Sequence, residues 1–254
     1  MTHLFVKIFA VLSILFWQTK PISPGLKPLL IIWDIGQGLW VTIVTDRACH
    51  HFDIGGEKWP PPVQHWCRSR DNDLFISHGD EDHIKFVPWA VRHLPRFCLV
   101  AGPLDEISAR KKQNLSLARP CSAESARDAG IREITTLPTH VSEHDHNLLS
   151  RVYVFDSPEG AVLLPGDSIV EGEALWLKQL RAEYHIRILV LGHHGSRTST
   201  GEALLRHLPD LSIAIASARK AKYGHPHAEV VRRLLDHHIS VLTTEDYGHI
   251  AIRL

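Results

Sequence analysis

Leu74-Phe75-Ile76-Ser77-His78-Gly79-Asp80-Glu81-Asp82-His83 carries an apolar, strand-like run straight into a loop dense in metal-ligating side chains. Imidazole and carboxylate together suit zinc or manganese. Alternating ligands such as His78 and Asp80 can face one ion while the adjacent Asp82-His83 pair turns toward a second. Two ions a few ångströms apart imply hydrolytic chemistry. A solvated acidic turn with two incidental histidines would use the same letters, in a chain that has 19 histidines. The loop therefore has to be weighed with its surroundings.

Upstream, Leu29 to Trp33 and Val41 to Thr45 are apolar, strand-like runs separated by the turn Asp34-Ile35-Gly36-Gln37-Gly38, a pattern that predicts a hairpin. His51 to Ile54 predicts a third short strand, ending in Asp53-Ile54-Gly55-Gly56. Downstream, Ile84 to Leu94 predicts a helix, so the ligand loop lies between a strand and a helix. The stretch from Pro103 to Val141 is polar and weakly periodic, with a helix candidate at Ser122 to Ala129. Beyond it, Val152, Val154 and Ala161 to Leu164 predict a hairpin turning at Ser157-Pro158-Glu159-Gly160. A helix is expected over Glu171 to Tyr184, then strand 187–191, helix 201–208, strand 212–216, helix 226–237 and strand 241–244. Alternating strands and helices predict sheets covered by helices, with the chemistry at strand ends.

Three further segments place candidate ligands after predicted strands: Gly166-Asp167, His193-His194-Gly195-Ser196 and Tyr223-Gly224-His225-Pro226. The two oxygens of Asp167 can be shared between two cations, and a neutral imidazole from His193 or His194 would complete one shell. Each segment also has a purely structural reading. Asp167 could cap the segment after it, His193 and His194 could be a surface pair at a helix entry, and His225 could serve only its turn.

A chain of 254 residues buries a core without help from disulfides or metal, and one domain is expected. Its 44% hydrophobic and 22% charged residues exclude wholesale disorder and a multi-span membrane protein. Lys plus Arg and Asp plus Glu both total 28, so no global positive field announces a polyanionic partner. Bound cations would supply such charge locally. Cys49, Cys67, Cys98 and Cys121 lack Cys-x-x-Cys spacing, which argues against a structural zinc knuckle and leaves thiols or disulfides open. Leu4 to Trp17 is an apolar run broken by Lys7 and Ser13 and followed by a Pro-rich stretch to Pro28. It reads as an export signal or uncleaved anchor, as an amphipathic or buried helix, or as a truncation scar. The expected division is 1–28, signal or anchor plus linker, and 29–254, the folded domain; the expected location is the cell envelope.

The order Asp53-x-Gly55, His78-x-Asp80-x-Asp82-His83, Gly166-Asp167 and Gly192-His193 resembles the metallo-β-lactamase superfamily. More narrowly, Asp34-Ile-Gly-Gln-Gly38, Asn147-x-x-Ser150, His193-His194-Gly195-Ser196 and Tyr223-Gly224-His225-Pro226 resemble the C-terminal hydrolase domain of the DNA-uptake competence protein ComEC, over residues 29 to 254. The resemblance implies a four-layer αββα sandwich holding two divalent ions, manganese, zinc or magnesium. It implies a metal-dependent phosphodiester hydrolase, a deoxyribonuclease linked to DNA uptake. The partners implied are DNA and a separate membrane channel component. Asp80 stands where the wider superfamily has a second histidine, and Asn147 where it has a third. These two departures make the first ion's surroundings richer in oxygen and shift preference toward manganese or magnesium.

The carry-over sets His78, Asp80 and Asn147 near one ion, Asp82, His83 and His193 near the other, and Asp167 between them, with the choice between His193 and His194 open. Asp53 would orient the loop through hydrogen bonds. Asp82 would hold the nucleophile, His194 or His225 would assist the departing alkoxide, and Asn147, Ser196 and His225 would contact the substrate. Two other readings stand beside this one: an exported metallo-hydrolase of another phosphoester or ester, and a non-catalytic DNA-binding module of the same fold.

Overall fold

A computed structural model describes residues 27–122, 130–138, 146–181 and 183–254. The apolar run Leu4 to Trp17 and nearly all of the helix candidate Ser122 to Ala129 lie outside them. The expected first hairpin is present: β1 (Leu29–Ile32) pairs antiparallel with β2 (Trp40–Val44), Leu30 opposite Ile43. β2 continues antiparallel into β3 (Ala48–Ile54). From there the pairing becomes parallel, to β4 (Asp71–Phe75), β5 (Phe97–Ala101) and the two-residue β6 (Arg119–Pro120).

The second sheet holds β7 (Ile131–Glu133), β8 (Tyr153–Phe155), β9 (Ala161–Leu164), β10 (Ile186–Val190), β11 (Ile213–Ala216) and β12 (Ser240–Thr243). The chain then returns to the first sheet, where β13 (Ile250–Arg253) pairs with β1. The sheet orders are β13-β1-β2-β3-β4-β5-β6 and β12-β11-β10-β9-β8-β7.

Alternate strand residues point to opposite faces, so a strand covered on both sides reads as an unbroken apolar run. In β1, Leu30 and Ile32 enter the central core with Val162, Leu164, Val190 and Ile215 of the other sheet. Leu29 and Ile31 turn outward into a second core, beneath the helix Val87–His93 and the short helix Gln64–Cys67. On the far side, Leu163, Leu189 and Ala214 pack under Trp176, Leu204, Val230 and Leu234, from helices Val170–Trp176, Glu202–His207 and Ala228–Asp236. The layers are helix, sheet, sheet, helix, the expected αββα sandwich.

Two predicted helices differ. Ile84 to Leu94 is divided into Glu81–Ile84 and Val87–His93, because Phe86 leaves helical geometry and Pro88 occupies the first turn of the second helix, where its missing N–H costs nothing. The helix expected to reach Tyr184 ends at Trp176, and a 3-10 turn, Leu177–Gln179, brings Leu177 and Leu180 onto the outer core instead. β5, β6, β7, β13 and the helix Ala109–Leu115 had no expectation.

All four cysteines are paired. Cys49–Cys67 ties β3 to the helix Gln64–Cys67, and Cys98–Cys121 ties β5 to the chain just beyond β6. Among the described residues, no helix is long and apolar enough to cross a membrane.

Candidate metal centre

The carboxyl ends of β3, β4, β9 and β10 open on the same end of the sandwich, and each delivers part of one cluster. After β4 the chain presents His78, then Asp80 in extended backbone at the start of the short helix that carries Asp82 and His83. Asp167 follows β9 and His193-His194 follow β10. The Asp167 carboxylate lies at the centre. His83 Nε2 is 3.2 Å from its Oδ1, and His194, His78 and His193 Nε2 are 3.5, 3.9 and 4.0 Å from its Oδ2. Asp80 Oδ2 lies 3.5 Å from His78 Nε2, and Asp82 Oδ2 lies 3.2 Å from His194 Nε2. Two overlapping triads result, His78-His83-Asp167 and Asp82-His83-His194, each with ligand atoms within 4.8 Å of one another.

The buried imidazoles share one orientation. His83 Nδ1 is 2.8 Å from Asp53 Oδ2, His194 Nδ1 is 3.0 Å from the Ser217 carbonyl and His78 Nδ1 is 3.0 Å from Ser77 Oγ. With each Nδ1 committed to the protein, each Nε2 turns inward, the arrangement that outer hydrogen bonds impose on ligating histidines. His78 Nε2 is buried and has no hydrogen-bond partner among the described residues. An orphaned imidazole nitrogen beside carboxylates of a nitrogen-and-oxygen donor set fits a divalent cation.

Asp53 holds this array in place. Its backbone is left-handed (φ 54°), which turns the carboxylate under the ligand loop. There Oδ1 accepts the Ser77 N–H (2.7 Å) and Oδ2 accepts the Ser77 hydroxyl (2.6 Å) as well as His83. Behind the loop, glycine is required for contact. A Cβ on Gly55 would stand 2.3 Å from the Asp82 carbonyl carbon, and one on Gly38 would stand 2.7 Å from the Asp82 oxygen. The Leu39 N–H donates to that same oxygen (3.0 Å). The Asp34–Gly38 turn thus seats the ligand helix as well as closing a hairpin.

Charge is concentrated here. Burial would pull His83 down, but Asp167 and Asp53 hold it well above the ordinary histidine range. Burial would likewise raise Asp167, but His83 and His194 hold it well below the usual carboxylate value. Asp82 is lowered in the same way, by the His194 hydrogen bond and His83 against its burial. His194 is raised by Asp167 and Asp82 against burial. Protons and cations therefore compete for the same lone pairs, as in metal sites generally.

The remaining expected residues lie around this core. His193 is partly exposed, with Nδ1 3.3 Å from Thr198 Oγ1, and burial lowers its pKa. His225 Nδ1 lies 3.3 Å from Gln37 Nε2, and its ring centroid is 6.2 Å from that of His193. Gln37 Oε1 accepts the Arg219 N–H (3.1 Å), so its Nε2 donates to His225 Nδ1, leaving the proton of a neutral ring on Nε2. Ser196 Oγ is 3.1 Å from Thr198 Oγ1, within its own loop. Asn147 sits in the 3-10 turn His146–Leu149. Its carbonyl accepts the Ser150 N–H, and Ser150 Oγ accepts the N–H of Asp167. Among the described residues, no hydrogen bond joins the Asn147 amide to Asp80 or Asp167.

Asp80, Asp82, Asp167, His193 and His194 line an open cleft of about 400 Å³, together with Gln37, Lys85 and Tyr223. At its rim Glu57 accepts from Arg219 (2.9 Å), Lys222 (2.6 Å) and the Tyr223 hydroxyl (2.6 Å). Partial burial opposes these donors, yet they hold Glu57 at about 2. Sequence reasoning missed Ser77, Gln37, Glu57 and Ser217 as parts of this end of the molecule. Ser77 adjoins the His78 motif and Gln37 lies within the glycine turn, so proximity to a motif was their only signal.

No family model matches the chain. It is 27% identical over 215 residues to ComE operon protein 3 of Bacillus subtilis, covering 80% of this chain and 27% of that protein. It is 28% identical over 231 residues to competence protein ComA of Neisseria gonorrhoeae, covering 89% of this chain and 32% of the relative. Recombination protein 2 of Haemophilus influenzae is also 28% identical over 231 residues, with 86% and 28% covered. The chain thus spans about a third or less of the length of the curated relatives it matches. Among solved structures, the metallo-β-lactamase fold protein YhfI of Bacillus subtilis superimposes with a TM-score of 0.53 at 9% identity, covering 90% of this chain and all of YhfI. CmlA, a diiron β-hydroxylase from Streptomyces venezuelae, gives 0.60 at 12% identity, over 90% of this chain and 54% of CmlA.

Proposed function

Since this chain is a homologue of competence proteins and has the metallo-β-lactamase fold, we propose that it is a metal-dependent phosphodiester hydrolase, a deoxyribonuclease linked to DNA uptake. The observation that carries the reading is the convergence of His78, His83 and His194 Nε2 on the Asp167 carboxylate, each imidazole already tied at Nδ1. In this reading His78 and Asp80 would hold one divalent cation, Asp82, His83 and His194 would hold a second, and Asp167 would serve both. His194 is preferred to His193 as the ligand because it is buried, its Nδ1 is anchored and its Nε2 lies against Asp82. Two such cations, of manganese, zinc or magnesium, would acidify a water and screen phosphate charge.

The chain's own groups do the rest. Asp82 is open to the cleft and accepts a hydrogen bond from the attacking water, turning a lone pair toward phosphorus. His225, with Nδ1 occupied by Gln37, offers its Nε2–H to the departing alkoxide. In this reading His193, which lies beside Asp167 and lines the cleft, would contact a phosphate oxygen. Ser196 and Asn147 support the loops that carry His193 and Asp167. The two disulfides support an oxidising compartment, in keeping with a cell-envelope location and a separate membrane channel component as partner.

The test is hydrolysis of single- and double-stranded DNA by purified protein across a manganese, magnesium and zinc series, beside Asp82→Ala and His83→Ala. Metal-dependent cutting lost in both variants is the expected result. Hydrolysis of a small phosphodiester or thioester without DNA cutting would leave a hydrolase of another substrate. DNA binding without cutting, unchanged in Asp82→Ala, would leave a binding module.

A further inference from the structure

A second cluster of ligand-type side chains lies inside the sandwich, away from the cleft. His50, Asp73 and Cys98 face one another across β3, β4 and β5, in register as His50 opposite Asp73 and Asp73 opposite Cys98. They share the inner face with Phe52 and Phe75. Cys121 closes the row from beyond β6, through its disulfide to Cys98. His50 is three residues before Asp53, about 10 Å along a strand from the catalytic end.

The polar accounting of this cluster does not balance. Asp73 is 2% exposed, and its Oδ1 faces Cys98 Sγ at 3.5 Å and Cys121 Sγ at 4.0 Å. Both sulfurs are in a disulfide, so neither has a proton to donate. Asp73 Oδ2 lies 3.1 Å from His50 Nδ1, yet that nitrogen is buried without a hydrogen bond of acceptable geometry. His50 Nδ1 is thus a buried nitrogen without a hydrogen bond, beside a carboxylate whose Oδ1 faces two sulfurs that carry no proton. Asp73, Cys98 and Cys121 offer ligand atoms within 4.8 Å of one another, and His50 Nδ1 lies 3.1 Å from Asp73 Oδ2 beside them. An unpaired buried nitrogen costs free energy, and a cation held between it, the carboxylate and the sulfurs would give it a partner. Two thiolates, an imidazole and a carboxylate form a four-coordinate set suited to zinc.

We propose that reduction of Cys98–Cys121 opens a zinc-type cation site made of Cys98 Sγ, Cys121 Sγ, Asp73 and His50, replacing a covalent cross-link between β5 and the chain beyond β6 with a metal cross-link. The reductant is a dithiol. Its two sulfurs join as a disulfide, the Cys98–Cys121 bond breaks, and two electrons and two protons pass to the cysteines as thiols. Cation binding then releases both thiol protons to solvent. Cys49–Cys67 has no such neighbours among the described residues and offers no comparable site.

Cobalt(II) is the probe, because thiolate ligation gives a sulfur-to-cobalt charge-transfer absorption that the cysteine-free catalytic cleft does not produce. The full chain is reduced with a dithiol, desalted without oxygen and titrated with cobalt, beside the oxidised chain. The expected result is the charge-transfer band in the reduced chain alone, retained in Cys49→Ser/Cys67→Ser. Asp73→Asn keeps both disulfides for folding, and after reduction it should bind cobalt about tenfold or more weakly by the same band. Absence of the band after reduction overturns the proposal, as does loss of the fold on reduction. Full-strength binding in Asp73→Asn, or dependence of the band on Cys49 and Cys67, overturns it equally.

Discussion

Gly55→Ala tests whether the seat of the ligand helix sets the geometry of the metal centre. Gly55 is not among the positive-φ glycines, so its backbone accepts a side chain and only space forbids one. The added Cβ would stand 2.3 Å from the Asp82 carbonyl carbon, 2.4 Å from the His83 nitrogen and 2.5 Å from the Asp82 oxygen, where ordinary contact begins at 3.4 Å. All three atoms are backbone, and no side chain can swing aside. Relief requires the Asp82–His83 peptide to move by roughly 1 Å. A shift of that size disrupts the 3.2 Å approaches of His83 to Asp167 and of Asp82 to His194. Misplacement on this scale can lower a rate by about 100-fold, and overpacking destabilises by about 1–3 kcal/mol. Gly248→Ala is the control: it meets nothing within 4 Å but is strained at φ 72°, at a cost of about 1–3 kcal/mol. Denaturant unfolding, metal content and the rate of metal-dependent hydrolysis are measured for both. Comparable destabilisation with loss of metal and rate only in Gly55→Ala is expected. A Gly55→Ala protein with rate and metal content within about twofold of the unaltered chain would refute the reasoning.

Asp53→Asn keeps size and tolerates the left-handed backbone, but its amide nitrogen cannot accept from Ser77 or His83; metal affinity should fall by about 10- to 100-fold with the fold intact, and unchanged affinity by titration would exclude the orienting role. Glu173 accepts the Thr200 and Gly201 N–H groups, yet burial outweighs them and raises its pKa from 4.5 to about 7. The folded state therefore holds a proton that the unfolded chain has released between these values. The resulting stability is fully present below pH 4.5 and lost as pH rises through 7, by about 3 kcal/mol. Unfolding free energies measured across that range should show the slope flattened in Glu173→Gln; equal slopes would contradict it. Gln37→Leu removes the donor to His225 Nδ1, so nitrogen NMR should show a mixture of His225 tautomers and hydrolysis should slow by about tenfold or more. An unchanged tautomer would remove Gln37 from that role.

The fold and the ligand loops were legible for one reason: strands buried on both faces, such as Leu29-Leu30-Ile31-Ile32 and Ala161-Val162-Leu163-Leu164, spell themselves as apolar runs, and ligands fall where such runs stop. β6 and β7 were not legible, since strands of two or three residues, with Ile131 alone buried among them, leave no period to read. The division at Phe86 was equally hidden, because Pro88 is permitted in the first turn of a helix and does not mark the break before it. Asp53 could be given an orienting role from its position at a strand end, but its left-handed backbone and its grip on His83 depend on contacts 24 and 30 residues away. Preference between His193 and His194 needed coordinates. The two are adjacent and alike in sequence, and consecutive left-handed backbones at φ 47° and 55° leave one partly exposed and bury the other at the same cleft.

The candidate metal centre draws one half from each sheet, the His78–His83 segment from β4 and Asp167 with His194 from β9 and β10. Its pieces meet only after two separately threaded sheets have closed on each other, so the centre should assemble late in folding, after the Leu30, Ile32, Val162 and Leu164 contacts that bring the sheets together. A cation held there would act as a rivet through the open end of the sandwich. Stripping it with a chelator should first raise amide exchange along that end, while the disulfide-tied strands at the other end keep their protection.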